Sequence, residues 1–410
     1  MERCIASAKG RLREPSLPGR FITIAYFYTL TWQAGIDFGL GPGVYSVMRF
    51  LSTLALLLTA NLLPAQDFDF KGVPADYAVT FASASSRGLK IGDSPEAKAF
   101  KARLEKILAG IDKSGKDSKA MQAAIIKATG LDLESPDNHY AGGFSMTKEG
   151  SFTGGLIIHA RHDGAKLAAH AGAKNVKSLQ AGAAKGWKLQ ELIASLSDEL
   201  AQATSSFPTP PGEAAGASED FGVFDVDNDT MVVAQPKEAA RIIGLLQGKG
   251  ASYALPSAQR SAVAATGRAY AVVFVNAAKL PATPELAESG FVSGLFAMGE
   301  KGSDQVMKIG TTFTSKEKAA PLAMQAQGML AMAPMMLAGD PSKPETAEEK
   351  EMKALAGEFL AGIQPVEASG NQVIFTAKWD TVKLYGMMEK IVALGAAKMN
   401  EATAPTPAKK

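Results

Sequence analysis

This chain repeats itself. The segment HYAGGFSMTKEGS at 139–151 aligns without gaps to FVSGLFAMGEKGS at 291–303: Gly142, Phe144, Met146, Gly150 and Ser151 recur as Gly294, Phe296, Met298, Gly302 and Ser303. A second pair lies downstream, where FDVDNDTMVVAQPKEAARIIGLL (224–246) matches VEASGNQVIFTAKWDTVKLYGMM (366–388). Upstream, YAVTF (77–81) matches YAVVF (270–274). The blocks keep one order in both halves and only the connections differ in length. Repetition of this kind restricts the fold to two similar units, each built from the same run of elements.

Each block has a physical reading. Tyr77 to Phe81 and Tyr270 to Phe274 are rich in β-branched and aromatic residues, which suits a strand. The runs 139–147 and 151–161 meet at Gly150, and 291–299 and 303–313 meet at Gly302, the residue type a tight turn with positive φ requires. Further hairpins are expected at 221–226/230–235 and 364–369/372–378. Apolar stripes follow both: Ile242, Ile243 and Leu246 in the first, Leu384, Tyr385, Met388, Ile391 and Val392 in the second. Ser94-Pro95-Glu96 is a helix start with its cap and an N-terminal proline. Thr314-Ser-Lys-Glu317 reads as a capping box at the start of another helix. The expected class is α+β: two tandem, internally duplicated units, each a mainly antiparallel sheet with helices packed on one face.

The organisation along the chain follows. Met48 to Gln66, MRFLSTLALLLTANLLPAQ, has a basic start, a Leu-rich apolar stretch and small residues near Ala65. It is shorter than the roughly 20 apolar residues a membrane span needs, so the expectation is a signal peptide over 48–65, cleaved after Ala65. A buried core helix is the alternative. Residues 1–47 show no sustained period and are expected to be an N-terminal extension ahead of a true start at Met48. The first α+β unit is expected over 66–250, the second over 251–400, and a disordered tail over 401–410. The stretches 205–220 and 339–350 are expected as loops.

Composition bounds partners more than function. The whole chain carries 43 basic and 41 acidic residues, and only six of the former and three of the latter precede Gln66. This balance argues against nucleic acid as a partner. The single cysteine, Cys4, falls in the leader, so disulfides cannot stabilise the remainder.

His139, His159, His162 and His170 fall within one short region. Their spacing suggests no shared ligand set, and the expectation is structural histidines with no bound metal. Ser145-Met-Thr-Lys148 and Ser315-Lys-Glu-Lys318 match the S-x-x-K pattern of serine–lysine acyl enzymes, a short pattern with no partner motif. Asp225, Asp227 and Asp229 read as a turn rather than a Ca²⁺ site. No phosphate-binding loop, dinucleotide fingerprint or nucleophile elbow occurs, so no catalytic residue and no cofactor are expected. Five methionines crowd MQAQGMLAMAPMM, and Met329, Met332 and Met336 share one helical face. Flexible thioether side chains suit an adaptable apolar binding surface; gap-filling in the core is the plainer alternative, and Pro334 is expected to kink or end the helix.

The expected function is an exported, non-enzymatic envelope protein that binds an apolar ligand, peptide or protein partner at Met329, Met332 and Met336. A structural or scaffolding envelope protein is the alternative, and an enzyme with a site assembled from scattered residues is the third reading.

Overall fold

The computed structural model describes residues 68–403 apart from 86–93, 112–113, 133–134, 136, 147–151, 204–220 and 339–345. The expected leader (1–47 and 48–65), the loop at 205–220, the turn at Gly150 and residues 404–410 lie outside the described residues.

Twelve strands form one sheet in which every pair is antiparallel. They are β1 (Val79–Ser83), β2 (His139–Met146), β3 (Phe152–His159), β4 (Ser178–Ala181), β5 (Ala184–Lys188), β6 (Gly222–Asp227), β7 (Thr230–Ala234), β8 (Arg268–Asn276), β9 (Phe291–Lys301), β10 (Asp304–Phe313), β11 (Glu367–Ser369) and β12 (Gln372–Asp380). Ten α-helices accompany them among the described residues. These are α1 (Pro95–Ile111), α2 (Ser114–Thr129), α3 (Gly164–Ala173), α4 (Leu189–Ala203), α5 (Pro236–Leu246), α6 (Ser257–Ala264), α7 (Pro284–Ser289), α8 (Lys316–Ala338), α9 (Ala347–Ala361) and α10 (Thr381–Thr403). The molecule is α+β with a large antiparallel sheet, as the sequence implies.

Strand order explains where the repeated blocks go. The sheet runs β11-β12-β10-β9-β8-β1-β2-β3-β7-β6-β5-β4. Read outward from the β1–β8 seam, one side is β1-β2-β3-β7-β6 and the other β8-β9-β10-β12-β11, and the two orders correspond strand for strand. The seam itself pairs Phe81 with Val273 and Thr80 with Phe274, residues of the two matching upstream blocks. Three features differ from the sequence reading. The strands of both halves share one continuous sheet rather than forming a sheet each. The first half adds a hairpin, β4–β5, at the edge. And helices cover both faces, because each central strand alternates apolar residues on its two sides.

Strand β3 shows this alternation. Ile157 packs on one face with Ala239, Ile242 and Ile243 of α5 and Val263 of α6. Its neighbours Leu156 and Ile158 join the opposite face, Leu156 in the cluster that holds Ala97 and Phe100 of α1 and Tyr385 of α10, Ile158 in the one that holds Leu167 of α3 and Leu192 of α4. On that second face α8 covers Phe313 and Val373 through Ala319, Ala323 and Ala326. Farther along, α9 and α10 cover Ala377 and Trp379. Two glycines permit close approach. A Cβ at Gly142 would lie 2.8 Å from Phe81 Cζ on one face, and a Cβ at Gly155 would lie 2.4 Å from Ile242 Cδ1 on the other.

Local signals set several boundaries. Ser94 Oγ accepts a hydrogen bond from Ala97 N at 3.0 Å, the expected cap of α1. Gly302 turns β9 into β10 at φ 69°. The capping box lies elsewhere than expected: Ser315 Oγ accepts from Lys318 N at the start of α8, whereas the reciprocal pair is Thr346 with Glu349 at the start of α9. That helix occupies the end of a stretch read as a loop, since Thr-Ala-Glu-Glu outweighs the prolines before it. Helix α8 continues through Pro334 to Ala338, and α10 continues to Thr403 into the segment expected as tail.

Buried polar groups are tied in chains. Tyr270 O–H donates to Gln305 Oε1 (2.9 Å), and Gln305 Nε2 donates to Thr381 Oγ1 (3.1 Å). Thr381 Oγ1 then donates to Ser303 O (2.7 Å). This links β8, β10 and the first residue of α10 through satisfied groups, which buried polar atoms require.

Candidate functional site

Helix α8 is the most unusual surface element. From Ala319 to Ala338 it contains no charged residue. Its inner face is built on Ala319, Ala323 and Ala326, with Leu322 and Leu330 packed alongside. The methionines therefore turn outward: Met324 is 66% exposed, Met329 37%, Met332 52% and Met335 76%. The side chain of Met336 lies outside the described ones. Met329 and Met332 thus share a face, as their spacing implies, but that face is open surface rather than the wall of a closed cavity. Single exposed apolar residues are ordinary; four methionines on one helix with no charge between them form a patch. Methionine, unbranched and flexible, adapts its shape to an apolar partner.

Among the described residues, no helix is long and apolar enough to cross a membrane. A shallow open cleft of about 360 Å³ lies between α1 and α10, lined by Pro95, Glu96, Ala99, Arg103, Val382 and Tyr385. Arg103 is engaged there with Glu389 at 2.7 Å.

The four histidines divide into two kinds. His162 is fully enclosed, with Nε2 2.9 Å from Asp225 Oδ1 and Nδ1 3.0 Å from Ala160 O. His170 Nε2 lies 3.0 Å from Ser195 Oγ. Both are tied into the fold by these contacts. Asp225 thereby gains a role beyond the turn, while Asp227 Oδ1 accepts from Asp229 N as a turn aspartate does.

His139 and His159 are different. They face each other across the β2–β3 hairpin, their rings stacked at 4.3 Å and 17°. The preceding segment brings Asp69 beside them, so that one ligand atom from each of Asp69, His139 and His159 lies within 4.8 Å of the others. His159 Nε2 is shut off from solvent without a hydrogen-bond partner. Burial, helped by the neighbouring His139, pulls the His159 imidazole down from its ordinary 6.5 to about 4, so it is neutral at pH 7. Sequence reasoning missed this triad. The hairpin was visible, but centring it on Gly150 pairs His139 with Arg161; the actual register pairs it with His159. Asp69 is remote in sequence and nothing local marks it.

The remaining candidates fasten the fold. Tyr77 O–H donates to the buried Glu238 Oε1 at 2.7 Å, and Arg241 bridges Glu238 and Asp76. Burial and the Glu238 carboxylate raise the Tyr77 hydroxyl far above its ordinary range. Ser145 Oγ accepts from Ala78 N and donates to Asp76 O, holding the same segment against β2; Lys148 lies outside the described residues. Ser315 is a helix cap.

No protein-family model and no curated protein matches the sequence. Among solved structures, the chain is weakly similar to TP0453. Crystal form I of that protein aligns with a TM-score of 0.33 at 8% identity, covering 80% of this chain and 98% of the other. Crystal form IV aligns with a TM-score of 0.36 at 8% identity, covering 81% and 98%.

Proposed function

We propose that this chain is an exported, non-enzymatic envelope protein whose α8 surface docks an apolar segment of a protein or peptide partner. The observation that carries this reading is the outward methionine face at Met329 and Met332, extended by Met324 and Met335. An open helix face suits a partner that brings its own complementary surface. A small apolar ligand would need a concave site that buries most of it. Export is supported by the Leu-rich stretch before Ala65. The two halves are proposed to descend from one duplicated unit, supported by the repeated blocks and the corresponding strand orders. The unit boundary is proposed near 250, between β7–α5 and β8.

The test uses photoactivatable methionine incorporated in cells that make the protein. Irradiation is expected to cross-link Met329 or Met332 to a discrete second polypeptide, and Met329→Lys with Met332→Lys to abolish that product. Absence of any cross-link at α8, with cross-links only within the chain, would overturn the reading.

A further inference from the structure

We propose that Asp69, His139 and His159 form a binding site for a divalent first-row transition metal ion, Zn²⁺ being the ion they fit. The donors are two imidazoles and one carboxylate, a set that zinc accepts with its fourth position open to water. Imidazole also suits neighbouring ions of the same row, and binding strength among them rises toward copper.

Three observations carry the site. The first is spacing. The two histidines are direct cross-strand partners in the ladder, which places their side chains on the same face about 5 Å apart at Cβ. Ligand atoms from all three residues fall within 4.8 Å of one another. A zinc ion with bonds of about 2.0–2.2 Å separates its ligands by about 3.3 Å, so the three donors stand within about 1.5 Å of the spacing a zinc shell needs.

The second is an unmet need. His159 Nε2 is enclosed and without a protein partner, and an enclosed polar atom in that condition is costly. The other two histidines of the region find partners in Asp225, Ala160 and Ser195, so among the four histidines the enclosed nitrogen left over is His159 Nε2.

The third is the support behind the donors. The backbone N–H of Lys71 donates to Asp69 Oδ1 at 2.8 Å. That orients the carboxylate and leaves its other oxygen for an ion. The Asp137 carbonyl approaches His139 Nδ1 at 3.5 Å. A backbone carbonyl on one imidazole nitrogen is how metal-binding histidines fix the tautomer that presents the other nitrogen. The ion would clip the segment starting at Phe68 onto the β2–β3 hairpin, joining residues 70 positions apart in sequence. The site lies apart from α8, so it stands or falls independently of partner docking.

The experiment is equilibrium binding of ZnCl₂ to the purified, tag-free, chelator-stripped protein, with thermal unfolding read alongside. One Zn²⁺ per chain is expected, with a raised Tm. His139→Gln and His159→Gln are each expected to weaken binding at least tenfold and remove the Tm rise, Asp69→Asn to weaken it less. His170→Gln, outside the site, is expected to bind like the parent. Should a site variant not fold, X-ray absorption of the zinc-loaded parent gives the answer: two imidazoles in the first shell are expected. No binding at about 100 μM Zn²⁺, unchanged binding in both histidine variants, or a shell with fewer than two imidazoles would each overturn the site.

Discussion

Substituting Gly155 tests how tightly α5 is seated on the sheet. A Cβ at this position would stand 2.4 Å from Ile242 Cδ1 and 3.1 Å from Ala234 Cβ. Ile242 is 1% exposed, so its terminal methyl has little room to retreat. Overpacking a core in this way costs about 1–3 kcal/mol. Alanine is favoured over glycine within a strand by about 0.5–1 kcal/mol. The net expectation for Gly155→Ala is a loss of about 0.5–2 kcal/mol. Ile242→Val removes the one atom in closest conflict, at its own cost of about 0.5–1.5 kcal/mol. In that background Gly155→Ala meets no methyl at 2.4 Å, fills the vacated volume and becomes neutral or stabilising. The double-mutant cycle therefore shows a favourable coupling of about 1–2 kcal/mol. Urea unfolding of the four proteins, with m-values compared to confirm an unchanged denatured state, measures it. If Gly155→Ala has the same effect in both backgrounds within about 0.3 kcal/mol, the packing argument for this glycine is wrong.

Tyr77→Phe removes a buried hydrogen bond to the Glu238 carboxylate and is expected to cost about 1.5–3 kcal/mol in the same assay; a loss under about 0.5 kcal/mol would mean Arg241 alone satisfies that carboxylate. His159 gives a pH signature. Its imidazole titrates near 4 when folded against an ordinary 6.5, so between these values the unfolded chain binds more protons and stability rises with pH. The contribution is complete above about pH 6.5 and is lost as pH falls toward 4; the parent minus His159→Gln difference should show that slope, and a flat difference refutes the depressed titration. Thr346→Ala breaks the capping box of α9 and is expected to cost about 1 kcal/mol, whereas an unchanged unfolding midpoint would show that the start of α9 does not share in global stability.

Much of this fold could be read from the chain because alternation and turn chemistry are local. The Gly302 turn, the Ser94 cap and the stripe at Ile242 and Ile243 depend on residues within one or two turns of each other. The β1–β8 seam could not be read. It joins Phe81 to Val273, and a strand that is apolar on both sides specifies burial without naming its neighbour. Coverage of both faces follows from the same ambiguity. The β4–β5 hairpin was missed because Ser178–Ala181 and Ala184–Lys188 carry no β-branched residue; they are anchored by Trp187, which is 4% exposed among α3 and α4. The methionine face was half legible. Spacing placed Met329 and Met332 together, but only the alanine face beneath them shows that they point outward. For the Asp69–His139–His159 cluster, a shift of one residue in hairpin centre separated a scattered set of histidines from a cross-strand pair.

If a partner covers the methionine face of α8 in the cell, oxidation footprinting will report it. In purified protein, brief hydrogen peroxide treatment should convert Met324, Met329, Met332 and Met335 to sulfoxides quickly, while Met231 and Met387, 3% and 4% exposed, resist. In intact cells treated alike, partner docking predicts that Met329 and Met332 become protected at least several-fold while Met231 and Met387 are unchanged. Equal oxidation of Met329 and Met332 in cells and in purified protein, measured against the same dose, would contradict it.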